Sequence, residues 1–302
     1  MSTSRAADLV TAHVTNDRAK LVFLVLSGAL IVVAYWHTFA WFVDRWFAAK
    51  DYYHCPLVPA IIAYLLWRKR EELAGATQRL CSPGLLLLAF GLLLHLAAMR
   101  VGVRFVSGVS LPIVGAGFVL SVFGPEVLRL TAIAYPLALF LVPYPQHMMA
   151  MIAMPMQLWS ATAAALIGKG MGLPVIHSGI NLTMNDFTFV VAQECSGINS
   201  LQALLLTAFI AIHLMAMSLG RKAALLLSVL PIVFIANSVR VASVLVTAQF
   251  FGPHVATGFF VHGFSDIVVY MVAFICFILL GSWLAGAVAA PSPAHGIDQP
   301  PH

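Results

Sequence analysis

The sequence predicts an all-α polytopic membrane protein of about eight transmembrane helices, with a small extracytoplasmic β-hairpin cap before the sixth. Three observations predict it. The 302 residues are 61% hydrophobic and only 9% charged, whereas soluble domains carry roughly a quarter charged residues. Mean hydropathy is +0.96. Long apolar runs recur along the whole chain, and a hydrocarbon core about 30 Å thick takes about 20 apolar residues per helical crossing. A soluble globular enzyme is thereby excluded. The net charge of +5 reads as Lys and Arg that set topology against anionic lipid headgroups, so lipids are the implied partner and no nucleic-acid partner follows.

Residues 1–20 carry Arg5, Asp8, Asp17, Arg18 and Lys20 ahead of any apolar run and form a cytoplasmic N-terminal segment. A single integral membrane domain occupies 21–286. Its first run, about 21–43, is longer than a signal-peptide core and lacks a cleavage pattern, so it stays in the mature protein. Further spans are expected at about 53–67, 83–99, 105–123, 127–143, 195–219, 223–249 and 262–286. The segment 144–194 is read as extracytoplasmic or interfacial. It opens with an amphipathic or re-entrant stretch rich in Met148, Met149, Met151, Met154, Met156 and Trp159; a ninth span is the alternative there. After Gly172 and Pro174 the pattern changes to period two. Ile180, Leu182 and Met184 alternate with polar residues, Asn185-Asp186 supplies a turn, and Phe187, Phe189 and Val191 alternate again, which predicts a hairpin near 175–193. The Pro- and Gly-containing tail, 287–302, is expected to be disordered.

Threading eight spans from a cytoplasmic N-terminus puts ten Lys and Arg inside and five outside, with Arg240 inside a span, which favours both termini in the cytoplasm. The hairpin and the start of the sixth span then face the exterior.

Three helix segments bring chemistry to that face. Cys195, Asn199 and Gln202 fall at i, i+4 and i+7, with Ser196 and Ser200 beside them. A membrane cysteine is usually a small core residue, but a thiol at a helix N-terminus is acidified by free N–H groups and the dipole. Gly197 leaves room for a substrate backbone. Cys55, Cys81 and Cys276 lack such a setting and read as packing, and no C-x-x-C or metal-ligand spacing occurs. Asn237, Arg240, Ser243 and Thr247 share a face of the seventh span. An intramembrane arginine costs several kcal/mol and marks a site, the alternative being a side chain snorkelling to the headgroups about 14 Å away. His262 opens the eighth span with Asp266 one turn on, as a base and its orienting carboxylate stand. His54, His147, His177 and His254 are rival bases, and His37, His95 and His213 read as structural.

The run Val191-Ala-Gln-Glu-Cys195-Ser-Gly-Ile-Asn-Ser200-Leu, then Asn237-Ser-Val-Arg240-Val, then His262 heading an apolar helix, resembles the exosortase/archaeosortase family of multi-pass membrane cysteine transpeptidases. Tyr53-His54-Cys55-Pro56-Leu-Val-Pro59 and Gly172-Leu-Pro-Val extend the resemblance to roughly residues 50–280. It implies Cys195 as nucleophile with Arg240 and His262 completing a triad; Ser196, Gly197, Asn199, Asn237, Asp266 and His54 are read from their positions beside these three as substrate-binding or supporting residues. It implies as substrates membrane-anchored proteins bearing C-terminal sorting signals, with an acceptor amine or water resolving the acyl-enzyme, and no metal or organic cofactor. Glu194, Cys55 and Asp266 depart from the family's common pattern. The readings from other classes are an ion- or solute-coupled transporter using Arg240, Asp266 and His262, and a scaffold of an envelope polysaccharide or secretion assembly.

Overall fold

The computed structural model describes Arg18 and residues 22–49, 52–185, 187–256 and 258–286. Thus most of the N-terminal segment and the whole 287–302 tail lie outside the described residues. The chain divides into two compact units, Met1–Pro143 and Tyr144–His302.

In the first unit, α1 (Val22–Ala34) and α2 (Trp36–Ala48) are one apolar run bent by 63° at Tyr35. Polar side chains gather at the bend. Tyr35 bonds Ser110 at 2.7 Å and Thr38 bonds Ser107 at 2.6 Å. His95 donates from Nε2 to the Ala34 carbonyl at 3.2 Å, so its Nδ1 accepts the Ser107 hydroxyl at 2.8 Å. His95 is thus structural. α3 (Leu57–Arg68) and α4 (Arg70–Gly75) follow, then α5 (Ser82–Val101) and α6 (Arg104–Val122). The last two pack closely because Gly91 and Gly117 leave no side chain between them: a Cβ on Gly91 would lie 2.8 Å from Val114.

The span expected at 127–143 is corrected. Residues there form two short helices, α7 (Pro125–Leu130) and α8 (Ala134–Leu139). Pro136 has no N–H to continue the ladder to residue 132, and the Thr131 hydroxyl turns back onto the Val127 carbonyl at 2.9 Å.

The second unit opens with α9 (Gln146–Gly170), where the Met-rich segment is a continuous 25-residue helix, apolar and long enough to cross a membrane. An interfacial stretch was the expectation. Its buried face, Met149, Ala153, Gln157, Ser160, Ala161, Ala164, Ala165 and Gly168, recurs along the helix and from Ser160 onward is made of small side chains, which favours close helix contact in a bundle. β1 (Val175–Ser178), β2 (Asn181–Met184) and β3 (Phe187–Val190) form an antiparallel meander. The expected hairpin is its β2–β3 half, and β1 is an added strand joined through Gly179 at φ +61°. Val175, Leu182, Met184, Phe189 and Val191 bury one face of this sheet against α9 and α11. α10 (Ile198–Leu214), the 33-residue α11 (Leu219–Phe251), α12 (Pro253–Ala256) and α13 (Phe259–Gly286) complete the unit.

Among the described residues five helices are long and apolar enough to cross a membrane, or six with α1–α2 taken as one span. α3 and α10 are shorter apolar helices of 12 and 17 residues. The protein is an all-α polytopic membrane protein with one small sheet.

Candidate active site

β3 feeds directly into a single 3₁₀ turn, Gln193–Cys195, closed by Cys195 N–H to Ala192 at 2.9 Å and Ser196 N–H to Gln193 at 3.0 Å. Cys195 therefore precedes α10 instead of opening it. Gly197 intervenes at φ +81° as the N-cap, so the helical stripe expected from Cys195 through Asn199 to Gln202 begins only at Asn199. The left-handed conformation at position 197 is what redirects the chain from the turn into the helix. Ser196 is wholly buried, and its Oγ accepts the Ile198 N–H at 3.3 Å. It serves the helix start and does not line an open surface.

Cys195 is 5% exposed. Its carbonyl accepts a hydrogen bond from Asn237 Nδ2 of α11 at 2.8 Å, and the same nitrogen donates to Ser160 Oγ of α9 at 2.9 Å. One amide thus joins three elements. Asn237 can approach this closely because residue 197 has no side chain: a Cβ there would lie 3.1 Å from Asn237 Cβ and Cγ.

One turn further along α11, Arg240 is 5% exposed and donates from Nε to Ser265 Oγ of α13 at 3.3 Å. Arg240 is buried within the helix bundle, which disposes of the snorkelling alternative. Ser265 stands three residues after His262, so the arginine reaches the helix turn that carries the histidine. His262 and Asp266 fall in the first turns of α13, and their side chains lie outside the described ones. His54 belongs to the first unit, in the turn before α3, where its ring lies 3.8 Å from Cys55 Sγ. Burial pushes the Cys55 thiol up to about 12 and holds His54 below its ordinary value. Cys55 is a protonated packing thiol at neutral pH.

Three buried side-chain oxygens of this region have no hydrogen-bond partner among the described residues: Asn199 Oδ1, Gln202 Oε1 and Asn237 Oδ1. Gln202 faces the Met149 thioether with its nitrogen at 3.4 Å, which leaves its oxygen pointing elsewhere. Each orphan costs about 1–3 kcal/mol, and such costs collect at functional sites. Among the described residues no cluster of His, Cys, Asp and Glu is suited to a metal ion.

Sequence reasoning missed Ser160 and Ser265. Neither has a local signal. Ser160 sits in a Met-rich stretch and Ser265 beside the more conspicuous His262 and Asp266, and only helix packing gives them roles.

A sequence model of the family described as transmembrane exosortase (Exosortase_EpsH) matches residues 46–279. The chain belongs to this family. The match spans all the candidate site residues named from the sequence, from His54 in the first unit to Asp266 in the second. No curated protein and no solved structure matches the chain. As an exosortase the chain is a multi-pass membrane protein of a family that is generally made up of cysteine peptidases and transpeptidases.

Proposed function

We infer that this exosortase is a cysteine protease/transpeptidase that cleaves C-terminal sorting signals of secreted proteins at the outer face of the cytoplasmic membrane. The observation that carries the reading is the Cys195 turn, held by Asn237 of α11, with Arg240 one turn along the same helix reaching the His262-bearing end of α13. The Cys195 turn, Arg240 in the interior of α11 and the first turns of α13 belong to one compact unit, which supports the reading.

In the proposed reaction the Cys195 thiolate attacks the scissile carbonyl. Arg240 offers N–H donors to the developing oxyanion, the largest single contribution in reactions of this kind. The C–N bond then breaks, and His262 delivers a proton to the leaving amine, leaving a thioester on Cys195. An incoming amine or water attacks that thioester with His262 as base and regenerates the thiol. The substrate class is a membrane-anchored protein ending in a short motif such as Pro-Glu-Pro, a transmembrane helix and basic residues, as the family resemblance implies.

The orientation follows from charge. With α3 and α10 counted as crossings beside the longer helices, and α9 in place of the 127–143 span, the chain crosses eight times and the count of ten cations inside against five outside is unchanged. The sheet and the Cys195 turn then face the exterior. A transporter would call for paired broken helices, and α1–α2 is a single bent pair among the described residues.

Capture of the acyl-enzyme tests the reading. A reporter ending in a Pro-Glu-Pro motif, an apolar helix and basic residues is co-expressed with the wild type and with Cys195→Ala. A hydroxylamine-sensitive adduct on Cys195, absent from the variant, is the expected result. Reporter processing that continues in a folded Cys195→Ala protein would overturn it.

A further inference from the structure

We propose that Asn237 and Ser160 are positioning residues that set the geometry of the Cys195 turn, Ser160 acting only through Asn237. The inference rests on the reading of Cys195 as nucleophile and adds two residues to it.

A 3₁₀ turn of three residues has poor hydrogen-bond geometry and little intrinsic rigidity. The Cys195 carbonyl lies before the α10 ladder, whose first bond across the cap runs from Leu201 N–H to the Gly197 carbonyl at 2.9 Å. A buried carbonyl of this kind needs a donor from elsewhere. Asn237 supplies it at 2.8 Å. A carbonyl can only accept, so the amide nitrogen must face Cys195. That nitrogen has two hydrogens, and the second goes to Ser160 Oγ at 2.9 Å. With both directed, the amide plane is fixed between α9 and α11, and the carbonyl of the nucleophile is fixed with it. Asn237 is 1% exposed and Ser160 1% exposed, so water offers neither group a substitute. The Asn237 oxygen has no partner among the described residues. Its donors therefore carry the role. Gly197 completes the arrangement, since a Cβ there would lie 3.1 Å from Asn237 Cβ and Cγ and push the amide back from the turn.

The consequence is kinetic. A reacting group displaced by about 1 Å can lose on the order of 100-fold in rate, while substrate binding elsewhere is untouched. The test uses the full chain in proteoliposomes with the reporter described above, comparing wild type, Asn237→Ala, Ser160→Ala and the double variant. Asn237→Ala is expected to lower kcat by about 10- to 100-fold and Ser160→Ala by about 3-fold, with KM within about twofold in each. The double variant should be no worse than Asn237→Ala alone, because the hydrogen-bonded link from Ser160 to the Cys195 carbonyl runs through that amide. Multiplicative losses in the double variant, an unchanged kcat in Asn237→Ala, or a defect confined to KM would overturn the proposal. If Asn237→Ala does not fold, Ser160→Ala against Ser160→Thr decides. The hydroxyl-retaining variant should recover the wild-type kcat, and equal kcat in the two would overturn the assignment. A parallel measurement separates this proposal from the reading beneath it. The rate at which the small neutral reagent methyl methanethiosulfonate modifies Cys195 should change at least threefold in Asn237→Ala, whether or not Cys195→Ala still processes the reporter. An unchanged rate would count against the positioning role, and a processing-competent Cys195→Ala against the nucleophile.

Discussion

Replacing Gly197 by Ala puts two separate physical terms on one atom. The residue has φ +81°, and an L-residue with a Cβ in that region costs about 1–2 kcal/mol. The new methyl would also stand 3.1 Å from Asn237 Cβ and Cγ and 3.3 Å from its Oδ1, inside the 3.5–4.0 Å of an ordinary carbon contact. Asn237 must therefore retreat by a few tenths of an ångström, and it is held at 2.8 and 2.9 Å on its other side. Weakening one of those bonds adds about 0.5–1.5 kcal/mol, for a total of about 1.5–3.5 kcal/mol. At about 2–4 °C per kcal/mol, the melting temperature in detergent should fall by roughly 3–14 °C. Processing should fall at least tenfold. Gly197→Asn separates the terms, because Asn tolerates the left-handed region better but keeps the steric clash, so it should recover part of the stability and none of the activity. Gly220 is the internal control. It lies in the first turn of α11 with nothing within 4 Å of an added Cβ, and Gly220→Ala should be neutral or stabilising by up to about 1 kcal/mol. A Gly197→Ala protein melting within 1 °C of wild type, or a Gly220→Ala protein harmed as much, would refute the reasoning.

Arg240→Lys should retain the fold but lose processing by about 100-fold, since an ammonium cannot reproduce the planar donor fork that bonds Ser265 and that the proposed reaction offers to the oxyanion; kinetics within tenfold of wild type would contradict this. Gln202→Leu should melt no lower than wild type, because the amide oxygen it removes has no partner and the amide nitrogen meets only a thioether; a loss above about 1 kcal/mol would show that a polar contact had been overlooked. Cys55 has its thiol raised to about 12 by burial. Its thiolate, the reactive form, therefore accumulates only as pH approaches that value. Maleimide should leave Cys55 unlabelled in the folded protein at pH 8 and label it after denaturation, a comparison read directly by mass spectrometry.

Much of the fold was legible because hydropathy and turn chemistry act over short stretches of chain. Long apolar runs located α5, α6, α11 and α13. Period-two alternation around Asn185-Asp186 located β2 and β3, and Asn185 does take a positive φ of 52°. Where local signals compete, the reading went astray. The 127–143 run is as apolar as its neighbours, yet Pro136 breaks it. The Met-rich run contains Pro155 and looked interfacial, yet its small-residue face lets it pack as one continuous helix. At the site, Cys195 before a helix start and Arg240 inside a span were conspicuous by residue type alone, because thiols near helix ends and charges in lipid are costly or reactive wherever they occur.

The sequence by itself determined that this is a polytopic α-helical membrane protein, which residues carry reactive or charged groups, and where the chain turns from sheet to helix. All of these follow from the chemistry of a few consecutive residues against a water–lipid boundary. Only the tertiary structure decided which groups meet. Ser160 and Asn237 are 77 residues apart, Cys195 and Asn237 42, and Arg240 and Ser265 25, and nothing local encodes those pairings. They arise when the small-residue face of α9 packs against α11, when Gly197 admits an asparagine against its bare backbone, and when α13 lies along α11. The contacts that would orient a nucleophile here are products of packing, and packing is a property of the whole unit.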